Sequence, residues 1–214
     1  MSKGQSGLIA MVLACAVLCV SVPAGAVPIV ISNTPADFSS MGVTGTATSL
    51  LSSSYSYGTM FSGDISSQVF DLDSGDYLYL YQVENDGPSI MEKLVVFSMC
   101  GGGSLAGGYL TANEPTGFLA GGVAPAGIVH DADPAVRTVG FDFPAVIGGE
   151  VSAGEHTCSL YLVSPRAPML GEAHVIDGGV GSAEVWVDCP EPATLCLLAV
   201  GAAGLLRRRR RARA

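Results

Sequence analysis

Asp71, Asp73 and Asp76 alternate through the run Asp71-Leu72-Asp73-Ser74-Gly75-Asp76, and carboxylates spaced this way on a tight turn can converge on a hard cation. The run departs from a helix-loop-helix calcium loop: its glycine comes one place early, and position 82 is Gln instead of Glu. A plain turn between two strands is the expectation. His130, Asp131 and Asp133 form a second group of candidate ligands, with His156 and His174 as distant nitrogen donors. No two of these histidines share a short ligand spacing, so no metal site is assigned. The stretch Gly101-Gly102-Gly103-Ser104-Leu105-Ala106 has Ala where a nucleophile elbow needs its second Gly, and reads as a flexible loop. No glycine-rich stretch leads into Lys-Ser or Lys-Thr, which removes phosphate loops. No catalytic residue and no cofactor follow from these patterns, and the chain is expected not to be an enzyme.

The elements around these residues read as short strands. Glycine makes up 28 of 214 residues, and turn residues recur throughout. In residues 76–84, Tyr77, Tyr79, Tyr81 and Val83 share one face while Leu78, Leu80 and Gln82 share the other. Both faces are largely apolar, which places this strand inside a sandwich. Its expected hairpin partners are residues 68–72, across Asp73-Ser74-Gly75, and 93–99, across Asn85-Asp86-Gly87-Pro88. Residues 137–143, 156–164 and 183–188 are further strands, rich in β-branched or aromatic types. The fold class is therefore all-β, an antiparallel β-sandwich or jelly roll. The three tyrosines offer rings on which a sugar could stack, but alternation is what a strand buried on both sides shows, and packing is the reading adopted. A secreted carbohydrate-binding or carbohydrate-active jelly roll is the alternative, although no pair of acidic residues can be nominated for it.

Charge is segregated along the chain. Six of the ten basic residues lie in the last eight positions, and between residues 27 and 188 three basic residues face eighteen acids, a formal charge of −15. Nucleic acid is excluded as a partner, because phosphate is bound through a surplus of Lys and Arg. An acidic solvated surface that holds divalent cations weakly fits this balance.

Both ends carry targeting patterns. Lys3, the apolar run 8–20 and Ala24-Gly25-Ala26 make a secretory signal peptide, residues 1–26, with cleavage after Ala26. Lipidation at Cys15 or Cys19 is disfavoured by the short apolar stub before the first and by bulky Leu18 before the second. At the other end, Pro190-Glu191-Pro192 precedes the apolar segment 193–206 and then Arg207, Arg208, Arg209, Arg210 and Arg211. The prolines stop a helix from extending backwards and leave the tripeptide extended. Segment 193–206 forms a helix, and the arginines halt transfer and stay cytoplasmic. Fourteen helical residues reach about 21 Å against a hydrocarbon core of about 30 Å, so arginine snorkelling or local thinning makes up the difference.

These three parts in this order resemble the PEP-CTERM sorting domain over residues 189–213. The resemblance implies that a membrane enzyme, an exosortase, recognises Pro190, Glu191 and Pro192 and processes the chain at the outer face of the inner membrane. It also implies association with exopolysaccharide and biofilm, and Gly201 and Gly204 match the small residues common in the family's helix. The whole then divides into the signal peptide, an exported β-rich domain at 27–188, and the sorting signal. Its partners are exosortase, membrane lipid and exopolysaccharide; it is anchored in the inner membrane with the body outside, then released to the cell surface or beyond. In the oxidising exterior Cys100 and Cys158 are the candidate disulfide pair, Cys189 stays free and Cys196 lies in the membrane segment.

Overall fold

A computed structural model describes residues 29–97, 106–131, 138–144 and 149–188. The N-terminal signal helix expected within residues 1–26 and the C-terminal transmembrane helix expected over 193–206, which would flank the β-domain, lie outside the described residues, as do Cys100 and Asp133. In chain order the strands are β1 (Ile29–Ile31), β2 (Asn33–Asp37), β3 (Val43–Thr46), β4 (Leu51–Tyr57), β5 (Phe61–Leu72), β6 (Tyr77–Asn85), β7 (Lys93–Val96), β8 (Ala106–Ala112), β9 (Gly127–Asp131), β10 (Thr138–Asp142), β11 (Glu155–His156), β12 (Leu160–Ser164), β13 (Pro168–Ile176) and β14 (Val180–Asp188). One sheet runs β1-β9-β10-β7-β13-β14, and the other runs β2-β8-β12-β6-β5-β3, with β4 also on β5 and β11 on β6. The class is all-β, as expected.

The two sheets meet through the alternate residues of their strands. Ile65, Val69, Tyr79, Tyr81 and Val83 from the second sheet pack against Leu94, Val96, Phe141, Val175, Val185 and Val187 from the first. A second, smaller core covers the outer face of β6: Leu78, Leu80, Phe70, Leu110, Phe118 and Tyr161, flanked by Phe38 and Met41. This explains why β6 is apolar on both sides: each face has its own core. Gln82, buried on the same outer face, is satisfied by the loop that covers it, accepting from Leu119 N at 2.8 Å and donating to Leu119 O at 2.8 Å and Thr157 O at 3.1 Å.

Two expectations about pairing need correction. Strand β7 does not form a hairpin with β6; it lies in the other sheet between β10 and β13. Both edges of β6 are already taken, by β5 and by β12, whose Leu160 faces Tyr81. The Asp86 and Gly87 amides, each donating to Ser62 O at 2.9 Å, bend the chain so that it crosses between sheets. The sandwich is also not wholly antiparallel, since β2 runs parallel to β8. That close approach is what Gly107 and Gly108 permit: a Cβ on Gly108 would collide with the Thr34 carbonyl oxygen.

Candidate functional site

The chain enters its C-terminal signal from β14, an edge strand of the first sheet. Alternation along β14 sends Ala183, Val185 and Val187 into the core, while Ser182 and Glu184 are exposed. Its ladder with β13 continues to the final residue, with Pro168 opposite Asp188. At Trp186 the other edge is met by side chains from the facing sheet. The Trp186 amide donates to Ser67 Oγ at 3.1 Å, and its carbonyl accepts the Tyr81 hydroxyl at 2.8 Å. The indole Nε1 reaches Ser49 O at 3.0 Å, at the junction of β3 and β4. Ser164 Oγ bonds Asp188 Oδ2 at 3.0 Å, and Tyr79 donates to Arg166 O at 2.6 Å beside it.

This root is enclosed. Asp188 is 4% exposed and Val187 1%, so burial persists to the end of the strand. Burial, with the charges of Tyr79 and Asp188 nearby, holds the Tyr81 hydroxyl well above the ordinary phenol range, so it stays a donor. Tyr79 and Tyr81 thus face the inter-sheet core, and neither presents a ring to a sugar.

The other residues singled out in the sequence are dispersed. The Asp71–Asp76 run is the β5–β6 turn, closed by Gly75 N to Leu72 O and Leu72 N to Asp76 O at 3.0 Å each, with Gly75 at a φ of +86°. His130 is buried on β9, His156 lies on β11, and His174 lies on β13 beside Glu172 (3.3 Å) and against the Phe97 ring. Among the described residues no three His, Cys, Asp or Glu side chains are placed to hold a metal. Cys158 is a buried free thiol that donates to Gly122 O at 3.2 Å, and burial pushes its pKa up, with the charge of Glu114 adding to the shift. Its suggested partner, Cys100, lies outside the described residues.

One arrangement escapes inspection of the sequence. On the outer face of the second sheet, Ser54 is opposite Asp64, Asp64 opposite Glu84, and Glu84 opposite His156, a single row across β4, β5, β6 and β11. Ser54 Oγ bonds Asp64 Oδ1 at 2.6 Å, and His156 Nε2 is sequestered without a hydrogen-bond partner. Directly opposed residues have Cβ atoms about 4.5–5.5 Å apart, so two carboxylates stand side by side here. The members come from four separate stretches of chain, and only the strand register unites them.

The comparisons with known proteins concern the tail. The PEP-CTERM protein-sorting motif matches residues 188–211, beginning where β14 ends and including Pro190, Glu191 and Pro192. Fold and motif together define an exported all-β protein. It is a substrate of an exosortase, the enzyme that recognises this motif. No curated protein and no solved structure matches the chain. Among the described residues no helix is long and apolar enough to cross a membrane.

Proposed function

We propose that this chain is a non-catalytic protein of the cell surface or extracellular matrix, held in the inner membrane by residues 193–206 until exosortase acts, and then associating with exopolysaccharide. The observation that carries this reading is the direct abutment of a folded acidic body on the sorting motif, with β14 ending at the residue where the motif begins. Supporting it, the side chains of Tyr79, Tyr81 and Gln82, which have binding chemistry, are engaged within the fold. Arg207, Arg208, Arg209, Arg210 and Arg211 would keep the tail cytoplasmic under the positive-inside rule. Replacing Pro190, Glu191 and Pro192 by alanine is expected to leave an unprocessed, membrane-retained form in cell fractions. Normal release of that variant would remove the basis of this function.

The Asp64 and Glu84 row favours a second reading, a carbohydrate-active protein. Retaining glycosidases place two carboxyls about 5–5.5 Å apart, a spacing that opposed strand positions can provide. Polysaccharide hydrolysis assays with the parent and with Asp64→Asn and Glu84→Gln test it. Turnover lost in either variant supports the enzyme, binding without turnover supports a lectin, and neither activity leaves the structural role.

A further inference from the structure

Residues 113–122 leave β8 and cross the outer face of β6 before the chain rejoins the sandwich at Val123, which bridges to Thr157. Among the described residues, no main-chain to main-chain hydrogen bond ties 114–122 to a strand, and the Phe118 amide donates to Pro115 O, at 3.1 Å, within the segment itself. Side chains hold it instead. Gln82 takes both main-chain groups of Leu119 at 2.8 Å each, Glu114 Oε1 accepts from Gly121 N at 3.3 Å, and Cys158 Sγ donates to Gly122 O at 3.2 Å. Phe118 is the one buried side chain of the segment and sits in the smaller core with Leu78, Leu80, Leu110 and Tyr161. The backbone is left-handed at both ends, at Asn113 (φ +58°) and at Gly121 and Gly122 (φ +78° and +97°). The Asn113 side-chain amide is tied to the Asp37 carboxylate at 2.9 and 3.0 Å. Rotation at a few such positions swings a segment without disturbing the strands on either side.

We propose that residues 113–122 are a strap that opens as a unit while the sandwich stays folded, with Gln82 as its latch. A segment with one buried side chain and few bonds opens at far smaller cost than the whole domain. Gln82 lies on the central strand and also donates to Thr157 O at 3.1 Å, so the latch keeps its place when the strap lifts. Opening draws Phe118 out of the smaller core and takes Gly122 off the Cys158 thiol, which is 7% exposed while the strap is closed. The strap thereby controls access to one apolar face, and it does so whatever becomes of the tail.

The test follows hydrogen exchange at the Leu119 amide and alkylation of Cys158 by iodoacetamide in the full chain in detergent, both read at the peptide level by mass spectrometry. In the parent, both rates should be insensitive to urea below the unfolding transition, while the amides of β5 and β13 respond steeply. A urea dependence at Leu119 and Cys158 equal to that of β5 and β13 would overturn the strap, because opening would then require the whole domain to unfold.

Gln82→Met keeps the side chain's length and removes both latch bonds. It should speed exchange at Leu119 and alkylation of Cys158 roughly tenfold and leave the β13 amides unchanged. Cys158 is the decisive reporter, since its thiol bonds Gly122 and not Gln82. Faster exchange at Leu119 with unchanged alkylation of Cys158 would show the loss of a single contact and overturn opening as a unit. Equal acceleration at β13 would make Gln82 a support of the whole sandwich and overturn its role as a latch.

Discussion

Tyr81, on the central strand of one sheet, donates its hydroxyl to the carbonyl of Trp186, on the edge strand of the other, at 2.8 Å across 105 residues of sequence. The bond joins the two sheets at the strand from which the sorting signal departs. Removing the hydroxyl leaves a half-buried carbonyl without its donor. Tyr81→Phe is expected to destabilise the protein by about 1–3 kcal/mol. Trp186 is the chain's single tryptophan, so its fluorescence during urea denaturation reads the affected strand directly.

Alkaline pH should weaken the fold. Burial raises the hydroxyls of Tyr55, Tyr81 and Tyr161 above the ordinary phenol range, helped by the charges of Asp86 and Asp64 at Tyr55 and of Tyr79 and Asp188 at Tyr81. A folded-state value above the unfolded one means that the folded protein keeps protons that the unfolded chain loses. The stabilisation is complete below about pH 10, the ordinary phenol value, and falls as pH rises towards the folded values. Urea midpoints measured from pH 8 to pH 11 should decline only above about pH 9.5–10, and a flat profile would contradict the burial of these hydroxyls.

Two glycines in neighbouring parts of the fold should differ in their response to alanine. At Gly108 the added methyl would meet the Thr34 carbonyl and the Tyr161 ring, where β2 crowds β8, whereas at Gly127 it would meet nothing within 4 Å. Gly108→Ala is expected to cost about 1–3 kcal/mol, the range for overpacking, and Gly127→Ala to stay within about 0.5 kcal/mol of the parent. Thermal denaturation of the pair checks the parallel placement of β2.

What could be read in advance depended on whether the information was contiguous. The sorting motif is a local string, and its residues stand in sequence as they are matched. Strand β6 was equally legible, because Tyr77-Leu78-Tyr79-Leu80-Tyr81 shows two apolar faces and each has a core to fill. The placement of β7 was not legible: Asp86-Gly87-Pro88 has the composition of a hairpin turn, and what forbids the hairpin is β12, which takes that edge of β6 from far along the chain. Strands β4 and β8 were missed for a different reason. Leu51–Tyr57 is mostly serine, and Ala106–Ala112 carries two glycines, so their strand character comes from their neighbours. The Ser54, Asp64, Glu84 and His156 row was invisible for the same reason as β7, since cross-strand register decides it.

Near the amino terminus, Ser32 alone separates β1 in one sheet from β2 in the other, and Ile29 finds its partner at His130 while Thr34 O receives the Tyr161 hydroxyl from 127 residues away. Such a stitch cannot close until most of the polypeptide has emerged from the translocation channel. Architectures dominated by distant pairings acquire their shape slowly. A newly made precursor would therefore linger in a threadable condition inside the cell, and completion of the sandwich would be deferred to the far side of the membrane, where it is used.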